Sequence, residues 1–245
     1  MPDIHYTHPR LAQTYEFSDP PWTEEVSFYR SLTGSAPRKV LDLGCGVGGM
    51  ARVLQGLGHR VTGVDPAPAM LDVARGKPGG GDIAWVQSPA QDFQSDERFD
   101  LILMTGHAFQ VLLTDEDIVA ALQTMRRHLA PRGRISFDTR NPAIDWATRW
   151  KVRPAATVEL DEGESVVVST DVLSAGTNTL TFEHHYQFSD EMLSSQSTLR
   201  FTSLATLEDF FQRAGLKIET CYGDWNLSAF DPKSSPEMIF VVSAS

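Results

Sequence analysis

The segment Val40 to Met50 reads Val-Leu-Asp-Leu-Gly-Cys-Gly-Val-Gly-Gly-Met. It is an apolar run that breaks into glycines at 44, 46, 48 and 49 before a helical pattern begins. A strand feeding a glycine loop and then a helix points to an open α/β sheet. It also points to a ligand held against main chain, because glycine takes backbone conformations closed to other residues and carries no side chain to keep a ligand away. Two acids sharpen this. Asp42 stands two residues before the first glycine, and Asp65 ends the next apolar run.

Around this segment, strand-like and helix-like patterns alternate from 38 to 138. Strands are expected at 40–43, 60–64, 83–87, 101–104 and 134–137, with helices at 49–57, 68–75 and 115–129. The last helix carries Thr114 as an N-cap, Asp115, Glu116 and Asp117 in its first turn, and Arg126, Arg127 and His128 in its last. That arrangement suits the helix dipole, and Pro131 and Gly133 follow as a stop. Such alternation predicts a doubly wound, mostly parallel sheet with helices on both faces.

The pattern changes between 150 and 202. Segments 157–160, 165–172, 179–188 and 193–201 are rich in β-branched and aromatic residues, separated by turn signals such as Gly176-Thr177-Asn178. This predicts an antiparallel sheet with one wet face. A helix at 207–214, closed by Gly215, and strands at 216–222 and 238–242 then complete the first sheet with a final hairpin. The β-rich block is therefore an insertion. The expected layout is a core of 1–149 and 203–245 and an inserted subdomain of 150–202. Residues 1–35 form a helical cap, with Leu11, Tyr15 and Phe17 on one apolar face, a break at Pro20-Pro21, and Thr23 capping a helix to Ser31.

Bulk properties narrow the function. A formal charge of −11 over 245 residues disfavours a phosphate backbone as partner, and no basic run offsets it. Two cysteines, Cys45 and Cys221, make no disulfide framework, and no Cys/His cluster has metal spacing. The N-terminal stretch is polar and no apolar run approaches membrane length, so the expectation is a cytoplasmic protein, monomer or homodimer, that binds no nucleic acid, membrane or metal.

Gly44, Gly46 and Gly49 also fit the dinucleotide pattern G-x-G-x-x-G, so a nicotinamide-dependent oxidoreductase is one reading. Asp42 argues against it, because a carboxylate beside the loop suits a cationic ligand better than a pyrophosphate. Asp65 is placed to accept from a ribose diol under either reading.

With these residues in place, the chain resembles the class I S-adenosylmethionine-dependent methyltransferases. The resemblance rests on Leu41 to Gly48, on Val64-Asp65-Pro66-Ala67 with Met70-Leu71, on Phe99-Asp100-Leu101-Ile102, and on the turn Leu129-Ala130-Pro131-Arg132-Gly133-Arg134, where Arg132 replaces a glycine. It implies a Rossmann-like seven-stranded sheet whose last strand is antiparallel. It further implies that Asp42, Gly44, Cys45 and Gly46 lie at the methionine end of the cofactor, Asp65 at the ribose, Pro66, Met70, Ala90 and Gln91 at the adenine, Thr105 where cofactor and acceptor meet, and Tyr15 over the methionine end. Asp92 shares the adenine contact with Gln91 as an alternative. The product would be S-adenosylhomocysteine.

Within the family, the segment Met104 to Gln110 lacks the Asn/Asp-Pro-Pro-Tyr pattern of enzymes acting on planar nitrogens. An insertion after Asp138-Thr139-Arg140-Asn141-Pro142 is similar in layout to glycine N-methyltransferase and amino-sugar N,N-dimethyltransferases. That implies a small-molecule acceptor, nitrogen preferred over oxygen. Methyl transfer is a displacement that mainly needs alignment, so no fixed triad is expected. His107 is the candidate base, or a loop-packing residue. Arg140 and Asn141 either hold the acceptor or tie the insertion to the core. On the strand at 179–188, His184 and Tyr186 share one face and Glu183 and His185 the other; one pair could line the pocket. Trp146, Trp150 and Trp225 could form an aromatic wall. A non-catalytic cofactor-binding module is the remaining alternative.

Overall fold

The computed structural model describes residues 3–18, 23–160 and 163–245; the side chains of 16–18 and 23 are also outside it. Pro20-Pro21 and the Phe17 and Thr23 side chains therefore lie outside the described residues. The strands are β1 (Lys39–Leu43), β2 (Arg60–Asp65), β3 (Ala84–Gln87), β4 (Phe99–Met104), β5 (Leu129–Arg140), β6 (Ala156–Glu159), β7 (Ser165–Ala175), β8 (Thr179–Gln187), β9 (Met192–Arg200), β10 (Leu216–Tyr222) and β11 (Glu237–Ala244). The helices are α1 (Ile4–Thr7), α2 (Pro9–Ser18), α3 (Thr23–Thr33), α4 (Gly49–Gly56), α5 (Pro68–Gly76), α6 (Asp115–His128), α7 (Trp146–Lys151) and α8 (Leu204–Arg213).

Seven strands form one sheet in the order β10-β11-β5-β4-β1-β2-β3. The pairs β3–β2, β2–β1, β1–β4 and β4–β5 are parallel, whereas β11 is antiparallel to both β5 and β10. This is the predicted Rossmann-like class with an antiparallel last strand. Four further strands, β6 to β9, make the separate antiparallel sheet expected from the β-rich block.

Alternation along the strands divides two cores. Leu41, Leu43, Ile102, Met104, Ile135, Phe137, Met238 and Phe240 pack with α6 and α8 on one face. Val40, Leu101, Leu103, Ile239 and Val241 pack on the other with Phe28 and Tyr29 of α3 and Met50 and Leu54 of α4. By the same parity Asp42, Asp138 and Glu237 belong to the α3 face, at the carboxyl end of the parallel strands or beside it. Ligands of open α/β sheets bind at that end.

Some boundaries depart from expectation. The strand predicted at 134–137 runs from Leu129 to Arg140, so α6 passes straight into β5 and Pro131 and Gly133 lie within the strand. The irregular start is absorbed by Arg132 at φ 65° and by a register shift opposite Phe99 to Leu101. Helix α8 begins three residues earlier than expected, because the Ser203 side chain accepts from the Thr206 N–H at 3.2 Å. Helix α7 was not expected. Its six residues are too few to show a period, and Asp145 caps it through the Thr148 N–H at 3.0 Å.

Candidate active site

The glycine loop is shaped by β2. The Gly44 and Cys45 N–H groups both donate to the Val64 carbonyl, at 2.8 and 3.0 Å, and Gly44, Gly46 and Gly48 all have positive φ. Gly48 begins α4 in the left-handed region, and a Cβ there would stand 2.4 Å from the Trp85 ring. Asp65 closes the loop from below. Its Oδ2 accepts from the Gly46 N–H at 2.9 Å and its Oδ1 from the Ala67 N–H at 2.8 Å. Burial lifts its carboxyl to about 6, against the pull of those two N–H groups.

Asp42 lies fully buried in β1, between Gly63 of β2 and Leu103 of β4. Neither of its oxygens has a hydrogen-bond partner among the described residues. Burial first, and the neighbouring Asp65 charge second, push it up to about 7. A buried carboxylate without a donor is costly. It fits a ligand that brings a cation and misfits a pyrophosphate.

The N-terminal helices lie over this loop. Tyr15 of α2 and Tyr6 of α1 pack with Val47, Ala67 and Met70, and a Cβ on Gly46 would stand 3.8 Å from the Tyr15 ring. Tyr6 is also within the fields of Asp65 and Arg140, and burial raises its phenol. Leu11, expected beside Tyr15, packs instead with Val166, Tyr186 and Phe188 of the second sheet. Helix α2 is thus a wedge between the two sheets. Arg10 fixes it there, paired with Glu164, Asp190 and Glu191 and lying over the Phe188 ring at 3.8 Å. Tyr6 and His5 escaped the sequence reading because a four-residue helix shows no period.

Pro66 follows Asp65 directly, and Met70 is buried on α5. Ala90 opens a single turn at 90–92 and is buried in the main core. The Gln91 side chain reaches Asp117 of α6 at 3.4 Å, while Asp92 is exposed. Thr105 starts the turn after β4, accepting at its carbonyl from the Ala108 N–H at 3.2 Å.

His107 stands in that turn at φ 60°, a conformation few side chains adopt. Its backbone N–H donates to Asp138 Oδ2 at 2.8 Å. Its ring Nε2 lies 2.9 Å from Glu237 Oε2 and 3.5 Å from Asp138 Oδ2. The Tyr29 hydroxyl donates to the other Asp138 oxygen at 3.2 Å. Burial raises the carboxyls of both Asp138 and Glu237, the latter to about 7. Sequence reasoning found His107 and missed Asp138, Glu237 and Tyr29. An acid on the buried parity of β5 was a visible signal for Asp138; nothing local marked the other two.

The remaining candidates separate. Asn141 is committed to the loop before β11: its Nδ2 donates to the Ser235 and Pro232 carbonyls at 2.8 and 3.2 Å, and its Oδ1 accepts from the Ala143 N–H at 3.0 Å. These contacts join the Asn141 side chain to the loop before β11 and not to the second sheet. Arg140 donates to Gln110 Oε1 at 2.9 Å, and its guanidinium lies 5.5 and 5.2 Å from the Trp146 and Trp150 rings. Trp225 packs elsewhere, against Phe28 and Tyr29, so the three tryptophans do not form one wall. On β8 the dry face is Leu180, Phe182 and Tyr186, with His184 between the last two. There the Tyr186 hydroxyl bonds His5 Nδ1 and His184 Nδ1 bonds the Thr170 hydroxyl at 2.7 Å. Glu183 and His185 take the wetter face, where His185 meets Asp171 at 3.1 Å.

A groove of about 810 Å³ lies at the opposite end of the sheet, lined by Arg38, Arg98, Arg126, Arg132 and Arg134. It shares no residue with the glycine loop or the His107 cluster. Among the described residues no cluster of three or more His, Cys, Asp or Glu has metal-binding geometry, and no helix is long and apolar enough to cross a membrane.

Comparison with known proteins agrees with this arrangement. Residues 40–133 match a family described as a methyltransferase domain. Cypemycin N-terminal methyltransferase of a Streptomyces species is 28% identical over 217 residues, 89% of this chain and 86% of its own length. A ubiquinone biosynthesis O-methyltransferase of Cereibacter sphaeroides is 32% identical, but over 52% of this chain and 58% of its own. The crystal structure of an S-adenosylmethionine-dependent methyltransferase from Clostridium acetobutylicum superposes with a TM-score of 0.78 at 15% identity, covering 96% of this chain and 98% of that one. With the glycine loop, its two acids and the antiparallel closing strand, these likenesses mark residues 40–133 as a methyltransferase domain and give the chain the fold of the class I S-adenosylmethionine-dependent methyltransferases.

Proposed function

We propose that the enzyme methylates the amine nitrogen of a small molecule, and that the cofactor lies along the glycine loop with Asp42 at its cationic end and Asp65 at its ribose. When bound, the sulfonium supplies an electrophilic methyl group with a neutral thioether as leaving group. The observation that carries the cofactor placement is the orphaned, buried Asp42 carboxylate. Around it, Gly44, Cys45, Gly46 and Tyr15 are assigned to the methionine end, and Pro66, Met70, Ala90 and Gln91 to the adenine. Thr105 sits at the turn between cofactor and acceptor.

The preference for nitrogen rests on the acids at the carboxyl end of the sheet, Asp42, Asp65, Asp138 and Glu237, which attract a cationic acceptor. It also agrees with the name of the relative that matches along most of its length, whereas the O-methyltransferase matches over little more than half. The sheet of 150–202, His184 and Tyr186 included, is assigned as the roof of the acceptor pocket, with Arg140 at its edge. The protein is read as cytoplasmic, acting as monomer or homodimer and without nucleic acid, in keeping with two unpaired cysteines and a charge of −11.

Isothermal titration tests the cofactor placement. S-adenosylhomocysteine should bind with micromolar affinity or better, and NADH should not; the reverse would overturn the reading. The pH dependence carries a sign. Asp42 holds its proton up to about 7, so in the unliganded protein this group lowers stability as pH rises from the ordinary aspartate range to about 7. A cation selects the ionised form, so affinity for S-adenosylmethionine should rise from about pH 6 to about pH 8. Asp42→Asn should flatten that rise, weaken binding about tenfold or more at the upper end, and raise the melting temperature of the unliganded protein there.

A further inference from the structure

Methylating an amine requires a place for the proton that an ammonium carries at neutral pH, because only the free electron pair attacks. Four groups meet at the turn after β4: His107, Asp138 of β5, Glu237 at the start of β11 and Tyr29 of α3. They do not stand equally. Asp138 is fully buried and both its oxygens already accept, one from the Tyr29 hydroxyl and one from the His107 backbone N–H. Glu237 is the acid nearer to the ring, 2.9 Å against 3.5 Å, and its side chain keeps 12% exposure.

We propose that His107 and Glu237 form the proton-accepting pair for the acceptor amine, with Asp138 and Tyr29 as positioning residues that hold the His107 turn. The inference rests on the N-methylation reading above. With Nε2–H donating to Glu237, the lone pair of the ring lies on Nδ1. The ammonium proton moves to Nδ1 as the Nε2 proton moves to Glu237 Oε2, and nitrogen keeps the electron pair of its broken N–H bond. That pair makes the new N–C bond while the C–S pair leaves with sulfur. The product carries the positive charge the sulfonium brought; before the next turnover Nδ1 releases its proton to water and Glu237 returns its own to Nε2, which restores the starting tautomer and the carboxylate.

The electrostatics agree with the division of labour. Burial lifts Glu237 to about 7, Asp224 from the loop after β10 adds to this, and Arg140 of β5 opposes it. A carboxyl in that range both takes and releases a proton at neutral pH. Asp138 is raised by burial and by Glu237 and lowered by His107 and its two donors, and its contacts hold it in place. The left-handed backbone of Gly106 and His107, at φ 64° and 60°, is strained at the histidine and is held by the Asp138 contact.

The test uses the full chain labelled with [δ-13C]glutamate, the Glu237 signal being the one missing in Glu237→Gln. Its midpoint is expected near 7; a midpoint in the ordinary range near 4 overturns the proposal. A panel of primary and secondary amines, aminosugars included, supplies the rate measurement. Glu237→Gln should lose about 100-fold in kcat/KM at neutral pH and recover as pH approaches the ionisation of the amine itself, with unchanged Kd for S-adenosylhomocysteine. Asp138→Asn, as a positioning change, should lower the rate without that recovery. Should Glu237→Gln prove insoluble, His107→Asn, which tolerates positive φ, must give the same high-pH recovery. A neutral-pH rate equal to wild type, or a loss constant across pH, overturns the pair. If the wild type binds S-adenosylhomocysteine but methylates no amine, the N-methylation reading falls and the pair with it. If it does not bind S-adenosylhomocysteine, the cofactor placement falls first.

Discussion

Asp65→Ala is expected to weaken S-adenosylhomocysteine binding by about 10- to 100-fold and to lower the melting temperature as well. Two losses combine. The carboxylate of Asp65 closes the loop by accepting from the Gly46 and Ala67 N–H groups at 2.9 and 2.8 Å, and both N–H groups would be left without that partner. A buried donor left unpaired costs about 1–3 kcal/mol. In the proposed placement the ligand also loses the acceptor for its ribose, a charge-assisted contact worth about 1.5–3 kcal/mol. Two effects work the other way: the buried Asp65 carboxyl, itself lifted to about 6, no longer has to ionise inside the protein, and its repulsion of Asp42, which raises the Asp42 carboxyl, is relieved. Titration calorimetry and thermal melts separate the terms. Asp65→Asn keeps one acceptor oxygen and should fall between wild type and alanine in both. Wild-type affinity in Asp65→Ala would remove Asp65 from the site.

Gly63→Ala is expected to be strongly destabilising, although Gly63 is not a loop residue. A Cβ there would lie 2.3 and 2.5 Å from two carbons of the Trp85 ring and 3.1 Å from Cys45 Sγ. The ring cannot swing aside freely, because Trp85 Nε1 donates to the Gly80 carbonyl at 2.8 Å and the same ring fills the space over Gly48. Overpacking of this kind costs about 1–3 kcal/mol, and the displaced ring would press on the backbone opposite Asp42, the register partner of Gly63. Cofactor affinity should therefore fall with stability. Trp85→Leu removes the obstruction at the cost of a cavity, so the double variant should lose less than the sum of the single losses. Strict additivity in calorimetric melts would show that the ring and residue 63 do not compete for the same space.

Much of this site can be read along the chain because its parts are local. The strand, the glycine turn and the start of α4 occupy consecutive residues, and alternation within β1 sends Asp42 to the buried α3 face with Val40. Caps and dipole-matched charges give α6 its ends for the same reason: each signal lies within a turn of the residue it affects. The four inserted strands follow from their own composition and turn residues, and their antiparallel order follows from short connections. Where the reading failed, the deciding interaction was distant or the element too short. Glu237 meets His107 from 130 positions away, and α1, which carries His5 and Tyr6, has four residues. The lengthening of β5 depends on pairing with β4 at its start and with β11 at its end, which no local pattern encodes.

The sequence by itself determined the class of sheet, the glycine loop and the two acids beside it, because residue type and spacing fix φ, strand parity and helix ends. Only the tertiary structure decided that His107 meets Glu237, 130 residues away, and that Arg140 lies opposite Glu237 in the β5–β11 register. It also decided that Tyr6, Leu11 and Tyr15 wedge between the two sheets. Antiparallel register and the seating of a cap are set by which buried faces fit together, and that choice is made between segments far apart in the chain.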